Sequence, residues 1–217
     1  MKTILCFGDS LTYGASPIKN GPRHAYEDRW PTALEAGLGG KARCIAEGLG
    51  GRTTVHDDWA GEGDRNGARI LPTLLSSHSP LDMVIIMLGT NDIKPFLGRT
   101  ALEASFGMRR LAQIVRGHAA VLKGTAPHIV FVAPPVTVQQ TANDDMEQHF
   151  GGHAAALAAS SGFAAAYQRR AEEEEALFFD AGAVAKTDPR DGIHLDQANT
   201  RAIGLGLVPL VKSIFGL

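Results

Sequence analysis

The segment 82–88 is the feature of this sequence that most constrains its fold. Its residues, Asp-Met-Val-Ile-Ile-Met-Leu, form a nearly continuous apolar run. Such a run is typical of a strand buried on both faces of a parallel sheet, because helices cover both sides of that kind of sheet. The run is also far too short to cross a bilayer, which takes about 20 apolar residues. It therefore predicts the central strand of an α/β domain.

Four more short apolar segments are predicted to be strands, over residues 3–7, 42–46, 128–133 and 177–179. Segments with apolar residues near helical spacing lie between them. We predict helices from an N-cap at Asp28 to about residue 38, and over 68–77, 101–122, 148–175 and 198–215. The alternation predicts a three-layer α/β/α sandwich with a five-stranded parallel sheet. Since no repeat or Pro/Ser/Gly-rich linker divides the chain, we predict one domain over 1–217.

Composition narrows the class of partner. The chain has 217 residues, 44% of them apolar, and carries 21 Lys and Arg against 23 Asp and Glu. A net charge of −2 offers no basic surface for nucleic acid and no polybasic patch for a membrane, so we expect a small-molecule partner. The first strand leads directly into a polar motif and leaves no room for a signal peptide, so we expect a cytoplasmic protein. Cys6 and Cys44 are then expected to be free thiols in buried strands.

Three polar motifs lie where parallel sheets gather catalytic groups, just beyond the carboxyl ends of strands. Gly8-Asp9-Ser10-Leu11 follows the first strand, Gly89-Thr90-Asn91-Asp92 follows the third, and Asp191-Gly192-Ile193-His194 precedes the last helix. A serine needs an imidazole to take its proton and a carboxylate to orient that imidazole. The side-chain amide of an asparagine can stabilise the oxyanion of acyl transfer. Each motif alone also fits a helix cap or a turn without chemistry.

A fourth motif, Gly48-Leu49-Gly50-Gly51-Arg52, follows the second strand. A glycine at this place lets a backbone N–H approach a substrate without a side chain in the way.

Together these four blocks resemble the GDSL, or SGNH, hydrolase family, which is named after a Ser, a Gly, an Asn and a His in four sequence blocks. Ser10, Gly51, Asn91 and His194 match those positions, and the resemblance spans residues 8–194. It implies a flavodoxin-like SGNH fold and a catalytic set of Ser10, Asp191 and His194. It also implies an oxyanion hole formed by the N–H groups of Ser10 and Gly51 and by the amide of Asn91.

One position departs from the family pattern. Many relatives have a serine where Gly50 stands, so two adjacent glycines leave the backbone donor ambiguous. We prefer Gly51 because it directly precedes Arg52-Thr53, as the donor does in relatives.

Longer matches look like the bacterial short-chain aryl esterase and acyltransferase branch of the family; they cover residues 6–12, 47–49, 52–54, 84–92, 179–182 and 191–194. This likeness implies an intracellular, metal-free enzyme without a cofactor. Such an enzyme cleaves small short-chain acyl esters, aryl esters included, through an acyl-Ser10 intermediate, and passes the acyl group to water or to an alcohol. That the protein is a homo-oligomer is expected from this resemblance alone.

Leu11, Thr90 and Ile193 adjoin the catalytic positions, so we expect them to line a small apolar pocket together with Phe150. The polar segment 136–149 is a candidate flap over that pocket. His149 and His153 lie one helical turn apart, but no H-E-x-x-H motif accompanies them and we expect no metal.

Two alternatives stay open. The first is a carbohydrate O-deacetylase, thioesterase or lysophospholipase of the same family, since these enzymes share one mechanism and differ in their pocket walls. The second is a non-catalytic α/β module that binds a small ligand. The sequence has no G-x-S-x-G elbow and no phosphate-binding loop, which disfavours the α/β-hydrolase and P-loop classes.

Overall fold

The computed structural model describes residues 1–98, 100–121, 124–141 and 149–217. Its strands are β1 (Lys2–Gly8), β2 (Ala42–Gly48), β3 (Met83–Met87), β4 (His128–Ala133) and β5 (Leu177–Asp180). They form one five-stranded sheet in the order β2-β1-β3-β4-β5, and every neighbouring pair is parallel. This is the flavodoxin-like order of a doubly wound sheet, and it confirms the predicted five-stranded parallel sheet.

The described helices are α1 (Ser10–Tyr13), α2 (Trp30–Gly37), α3 (Gly67–His78), α4 (Ala101–Val121), α5 (His153–Ser160), α6 (Phe163–Glu173) and α7 (Gln197–Phe215). Short 3₁₀ turns occupy Tyr26–Asp28 and Ala181–Ala183.

Two details of the predicted helices are wrong. Asp28 does not cap α2, because it ends a 3₁₀ turn and its carboxylate pairs with Arg201 instead. The predicted helix over 148–175 is interrupted among the described residues, since Gly151 and Gly152 precede α5, and Ser161 and Gly162 separate α5 from α6. The high alanine content of this stretch outweighed its glycines in the prediction, although glycine is a weak helix former.

The core lies on both faces of the sheet. Alternate side chains of β1 and β3 point to opposite sides. One apolar cluster packs Leu5, Phe7, Val84 and Ile86 against α3, α4 and α6. The other, which packs the intervening residues of both strands against α2 and α7, includes the buried Trp30. Burying one large apolar side chain stabilises the fold by roughly 1.5–3 kcal/mol, so these two clusters hold the three layers together.

The strand register brings three loops to one edge. Gly8 pairs with Gly48 on one side and with Met87 on the other, so the loops after β1, β2 and β3 begin side by side. A Cβ added at Gly8 would lie 2.0 Å from Thr12 Oγ1, and one at Gly48 would lie 2.2 Å from the Tyr13 nitrogen. The short helix α1 therefore sits directly on the strand ends, which fixes the place of its first residue.

Cys6 and Cys44 are both free thiols, as expected; Cys6 is buried and Cys44 is half-buried. Within the described residues, none of the helices combines the length and the hydropathy that a membrane span needs.

Candidate active site

Ser10 is the first residue of α1 and directly follows β1 through Asp9. The Asp9 carboxylate caps this helix by accepting a hydrogen bond from the Leu11 N–H at 2.9 Å. Burial raises the pKa of Asp9 to about 6, and the Leu11 hydrogen bond and the charges of His194 and Arg52 only partly offset it. Asp9 thus holds the turn that presents Ser10, as a helix cap and not as a reacting group.

Ser10, His194 and Asp191 form one continuous hydrogen-bonded chain. The imidazole of His194 lies with Nε2 2.9 Å from Ser10 Oγ and with Nδ1 2.6 Å from Asp191 Oδ2. The other carboxylate oxygen of Asp191 accepts from the Ile193 and His194 N–H groups at 2.9 Å each, across a turn in which Gly192 has φ 78°. Asp191 can therefore orient His194 from three residues away, because Oδ1 of its carboxylate fixes the turn and Oδ2 faces the imidazole.

Asn91 joins the loops that follow β1, β2 and β3. Its Nδ2 lies 3.1 Å from the carbonyl oxygen of Arg52 and 3.4 Å from Asp9 Oδ2, and the residue is buried. The neighbouring Asp92 accepts hydrogen bonds from the Thr54 N–H at 3.0 Å and from the Thr54 hydroxyl. These contacts fix the turn on which the Asn91 amide stands.

Gly51 and Gly50 differ in whether the local backbone and packing require a glycine. Arg52 N–H donates to the Leu49 carbonyl at 3.1 Å, which closes a turn with Gly51 as its third residue at φ 82°. A Cβ at Gly51 would also lie 2.7 Å from the guanidinium of Arg65, whereas one at Gly50 would meet nothing within 4 Å. The structure thus requires glycine at 51 and not at 50.

The residues predicted to bind substrate are all buried, and the three apolar ones are divided between the two core clusters. Phe150 and Ile193 belong to the cluster shared with α3, α4 and α6, whereas Leu11 belongs to the cluster on the opposite face of the sheet. Thr90 is buried, and its hydroxyl has no hydrogen-bond partner among the residues that the structure describes.

The candidate flap over 136–149 falls partly on residues 142–148, which lie outside the described residues. Its described part runs along the turn that carries Asp191. The Val138 N–H donates to the Gly192 carbonyl at 3.0 Å, and the Thr141 N–H donates to the Pro189 carbonyl at 2.7 Å. This stretch therefore packs on the turn that carries Asp191 and His194.

Sequence reasoning gave no role to Arg52, which is buried under the site. Its guanidinium donates to the carbonyls of Gly8, at 2.8 Å, and of Glu47, and it lies 4.4 Å from the centre of the Phe7 ring. Burial lowers its pKa to about 10. Arg52 ties the ends of β1 and β2 together, and its position directly after the two glycines was the only sequence signal for it.

A cleft of about 360 Å³ beside His194 was also missed. Its walls are mostly polar and include Ser16, Lys19, Asn20 and His149. The loop after α1 supplies most of them, and no recognisable motif marks that loop. The sequence marks His149 only as the end of the candidate flap and as a neighbour of His153, not as part of a cleft.

The sequence pattern of the GDSL-like lipase/acylhydrolase family matches residues 6–201. The chain belongs to this family. No curated protein matches the chain.

Solved structures of similar proteins can be superposed on nearly the whole chain of this GDSL family member. A carbohydrate acetylesterase family member from Sinorhizobium meliloti is 47% identical, with a TM-score of 0.93 and 100% of both chains covered. A second carbohydrate acetylesterase from that organism is 39% identical, with a TM-score of 0.91, and the match covers 99% of this chain and 100% of the other. An aryl esterase from M. smegmatis is 39% identical, with a TM-score of 0.91, 98% of this chain and 99% of the other being covered. The protein is accordingly a carboxylic ester hydrolase of the GDSL-like family with the fold of these enzymes.

Proposed function

We propose that the protein is a serine esterase that hydrolyses small short-chain acyl esters through an acyl-Ser10 intermediate. The observation that carries the proposal is the chain from Asp191 through His194 to Ser10, with heavy-atom distances of 2.6 and 2.9 Å. Both distances lie within the hydrogen-bond reach of about 2.6–3.2 Å that proton transfer requires. Asp191, His194 and Ser10 together supply the carboxylate, the base and the nucleophile that ester hydrolysis by a serine requires.

In the proposed acylation step, Ser10 Oγ attacks the ester carbonyl carbon while His194 Nε2 takes the hydroxyl proton. Asp191 stabilises the imidazolium that forms. His194 then gives its proton to the leaving alcohol as the C–O bond breaks. Water repeats the sequence on the acyl-Ser10 ester, and an alcohol in place of water would give the predicted acyl transfer.

The oxyanion would be held by the N–H groups of Ser10 and Gly51 and by the Asn91 amide. One Nδ2 hydrogen of Asn91 is engaged by the Arg52 carbonyl at 3.1 Å. The second hydrogen makes only the longer, weaker contact with Asp9 at 3.4 Å, for which a developing negative charge on the substrate would compete. Loss of one such donor typically lowers turnover by roughly 100- to 1,000-fold.

Burial of the predicted pocket residues supports a short acyl group. Thr90, Phe150 and Ile193 each expose less than a tenth of their surface, at 4%, 5% and 8%. An acetyl group needs only a small space between such side chains, whereas a long acyl chain would displace core residues of a close-packed interior.

The polar cleft favours a hydroxylated alcohol on the other side of the ester, which is the carbohydrate O-deacetylase alternative. His194 Nε2 gives its proton to the leaving oxygen, so the leaving group would lie in the cleft that His194 lines with Ser16, Lys19 and Asn20. Hydroxyl, ammonium and amide groups form hydrogen bonds with sugar hydroxyls. Two of the similar solved structures are of carbohydrate acetylesterases.

The test of the esterase proposal is release of p-nitrophenol from the acetate, butyrate and octanoate esters by the wild-type protein and by Ser10→Ala. We expect acetate to be cleaved fastest, with rates falling along the series and absent from the variant. A Ser10→Ala protein that cleaves acetate at near-normal rates would overturn the proposal.

The leaving-group assignment has its own test in Asn20→Gly. Asn20 has φ 56°, which glycine adopts without strain, so this change removes the amide and leaves the loop backbone unaltered. We expect the variant to lose kcat/KM on an acetylated monosaccharide while its kcat/KM on p-nitrophenyl acetate stays within twofold. Equal changes on both substrates would contradict a sugar-binding role for the cleft.

We further propose that the protein acts in the cytoplasm, forms a homo-oligomer and folds as one domain. These proposals rest on the resemblance and on sequence patterning.

A further inference from the structure

Three charged side chains form a cluster behind the proposed oxyanion hole. The carboxylate of Asp58 is buried, and its Oδ2 accepts from Lys94 Nζ at 2.7 Å and from a terminal guanidinium nitrogen of Arg65 at 3.4 Å. Its Oδ1 accepts from the Ala60 N–H at 3.1 Å. Lys94 itself exposes only 8% of its surface. Burying ions is costly unless their partners and geometry are well matched, so this cluster calls for a role beyond stability.

One arm of the cluster reaches the turn that carries Gly51. The Arg65 guanidinium fills the space beside this turn, since a Cβ at Gly51 would lie 2.7 Å from Arg65 Cζ and Nε. On its other side the guanidinium approaches the backbone of Gly61, where a Cβ would lie 1.8 Å away. The Arg65 carbonyl also accepts from the Thr53 N–H at 3.0 Å, two residues beyond Gly51. The place of this turn therefore depends on where Arg65 is held.

The other arm reaches the turn that carries Asn91. Lys94 follows Asn91 by three residues, and its N–H donates to the Asn91 carbonyl at 3.4 Å. The Asp92 N–H donates to the Gly89 carbonyl at 3.0 Å within the same turn. Through the side chain of Lys94, this turn is joined to Asp58, a residue of the loop that follows β2.

We propose that Asp58 is a positioning residue that sets the separation of two oxyanion donors, holding the Gly51 turn through Arg65 and the Asn91 turn through Lys94. The proposal rests on the proposed function, because it assigns the cluster to the oxyanion hole of that reaction. Donors that are already in place stabilise the transition state without reorganisation, and misplacement by about 1 Å can cost on the order of 100-fold in rate. The positioning acts on the transition state and leaves substrate binding nearly unchanged.

The test compares Asp58→Asn with Asp57→Asn on p-nitrophenyl acetate. Asparagine at 58 still accepts from the Ala60 N–H but loses the charge that holds Lys94 and Arg65. We expect kcat to fall roughly 10- to 100-fold with KM within twofold. Asp57 lies on the outside of the same loop, where its carboxylate pairs with Arg69 at 2.7 and 2.9 Å, so Asp57→Asn is the matched control and should keep kcat within twofold.

A double-mutant cycle separates positioning from general damage. In an Asn91→Ala background one of the two donors is already absent, so Asp58→Asn should lower kcat by clearly less than it does in the wild-type protein. Equal losses in the two backgrounds would overturn the proposal, as would an Asp58→Asn protein with wild-type kcat.

A second variant covers the case in which Asp58→Asn does not fold. Asp58→Asn combined with Lys94→Met keeps the net charge of the cluster and should show the same fall in kcat. A folded double variant with wild-type kcat would overturn the positioning role. Failure of this inference is distinct from failure of the proposed function, because Ser10→Ala tests the latter alone.

Discussion

Asp92 offers a sharp test of the electrostatics under the site. Its carboxyl group is fully buried and accepts hydrogen bonds from the Thr54 N–H, at 3.0 Å, and from the Thr54 hydroxyl. Burial raises its pKa to about 7; the hydrogen bonds from Thr54 oppose the rise, and the nearby charge of Asp9 adds to it. The perturbation is Asp92→Asn, which keeps the shape of the side chain and removes its titration.

The raised pKa of Asp92 determines the direction in which the free energy of unfolding changes with pH. An unfolded Asp releases its proton near pH 3.9, whereas folded Asp92 keeps it until about pH 7, so the stability it contributes is full below about pH 4 and is lost as the pH rises through 7. Each pH unit in which only the unfolded chain is ionised costs about 1.4 kcal/mol. Between about pH 5 and pH 7 the loss amounts to about 2 kcal/mol, since the group is half-titrated at the upper end.

The assay is urea unfolding of both proteins at about pH 5, 6 and 7. We expect the free energy of unfolding of Asp92→Asn, relative to wild type, to rise by about 2 kcal/mol across this range. Titration of groups that do not interact with Asp92 cancels in the difference. Asp57→Asn is the control, because the pKa of exposed Asp57 is lowered by its hydrogen bonds to Asn66 and Arg69, and its difference from wild type should stay flat. A flat or falling difference for Asp92→Asn would show that Asp92 does not have a raised pKa in the folded protein.

Three further substitutions test the site and its support. Asn91→Ala should lower kcat roughly 100- to 1,000-fold in steady-state ester hydrolysis with little change in KM, and a change in KM alone would make Asn91 a substrate-binding residue. Thr90→Val should keep the free energy of unfolding within about 1 kcal/mol, because the Thr90 hydroxyl has no partner within the described residues; a loss well above that in urea unfolding would reveal one. Gly89→Ala should cost more than about 2 kcal/mol, since Gly89 has φ 124° and a Cβ there would lie 2.2 Å from the Tyr167 hydroxyl. An unchanged midpoint for Gly89→Ala would contradict that packing.

Much of the fold was predictable because its signals are local. Continuous apolar runs marked the strands, and the alternation with amphipathic segments required a parallel sheet covered on both faces. The start of α2 and the break between α5 and α6 were less accessible. Asp28 has the chemistry of an N-cap, but a tertiary partner, Arg201, takes its carboxylate.

The candidate site was predictable only where chemistry falls in short motifs. Asp191 and His194 lie within one turn, and Ser10 and Asn91 each follow a strand, so the sheet topology alone brings them to one edge. Asp58 and Lys94 were invisible, because they are 36 residues apart and only the folded loops join them. The role of Leu11 in substrate binding stays a prediction, and adjacency to Ser10 in sequence did not reveal that its side chain packs with the cluster against α2 and α7.

Covalent labelling with an organophosphate that carries a p-nitrophenyl leaving group tests whether Ser10 is the nucleophile. A serine activated by His194 and Asp191 should attack phosphorus and release one p-nitrophenol per chain, with loss of esterase activity in proportion. Peptide mass spectrometry should then place the phosphoryl group on Ser10, and His194→Ala should react far more slowly. A label on another residue with activity lost, or full activity after stoichiometric labelling of Ser10, would contradict the account.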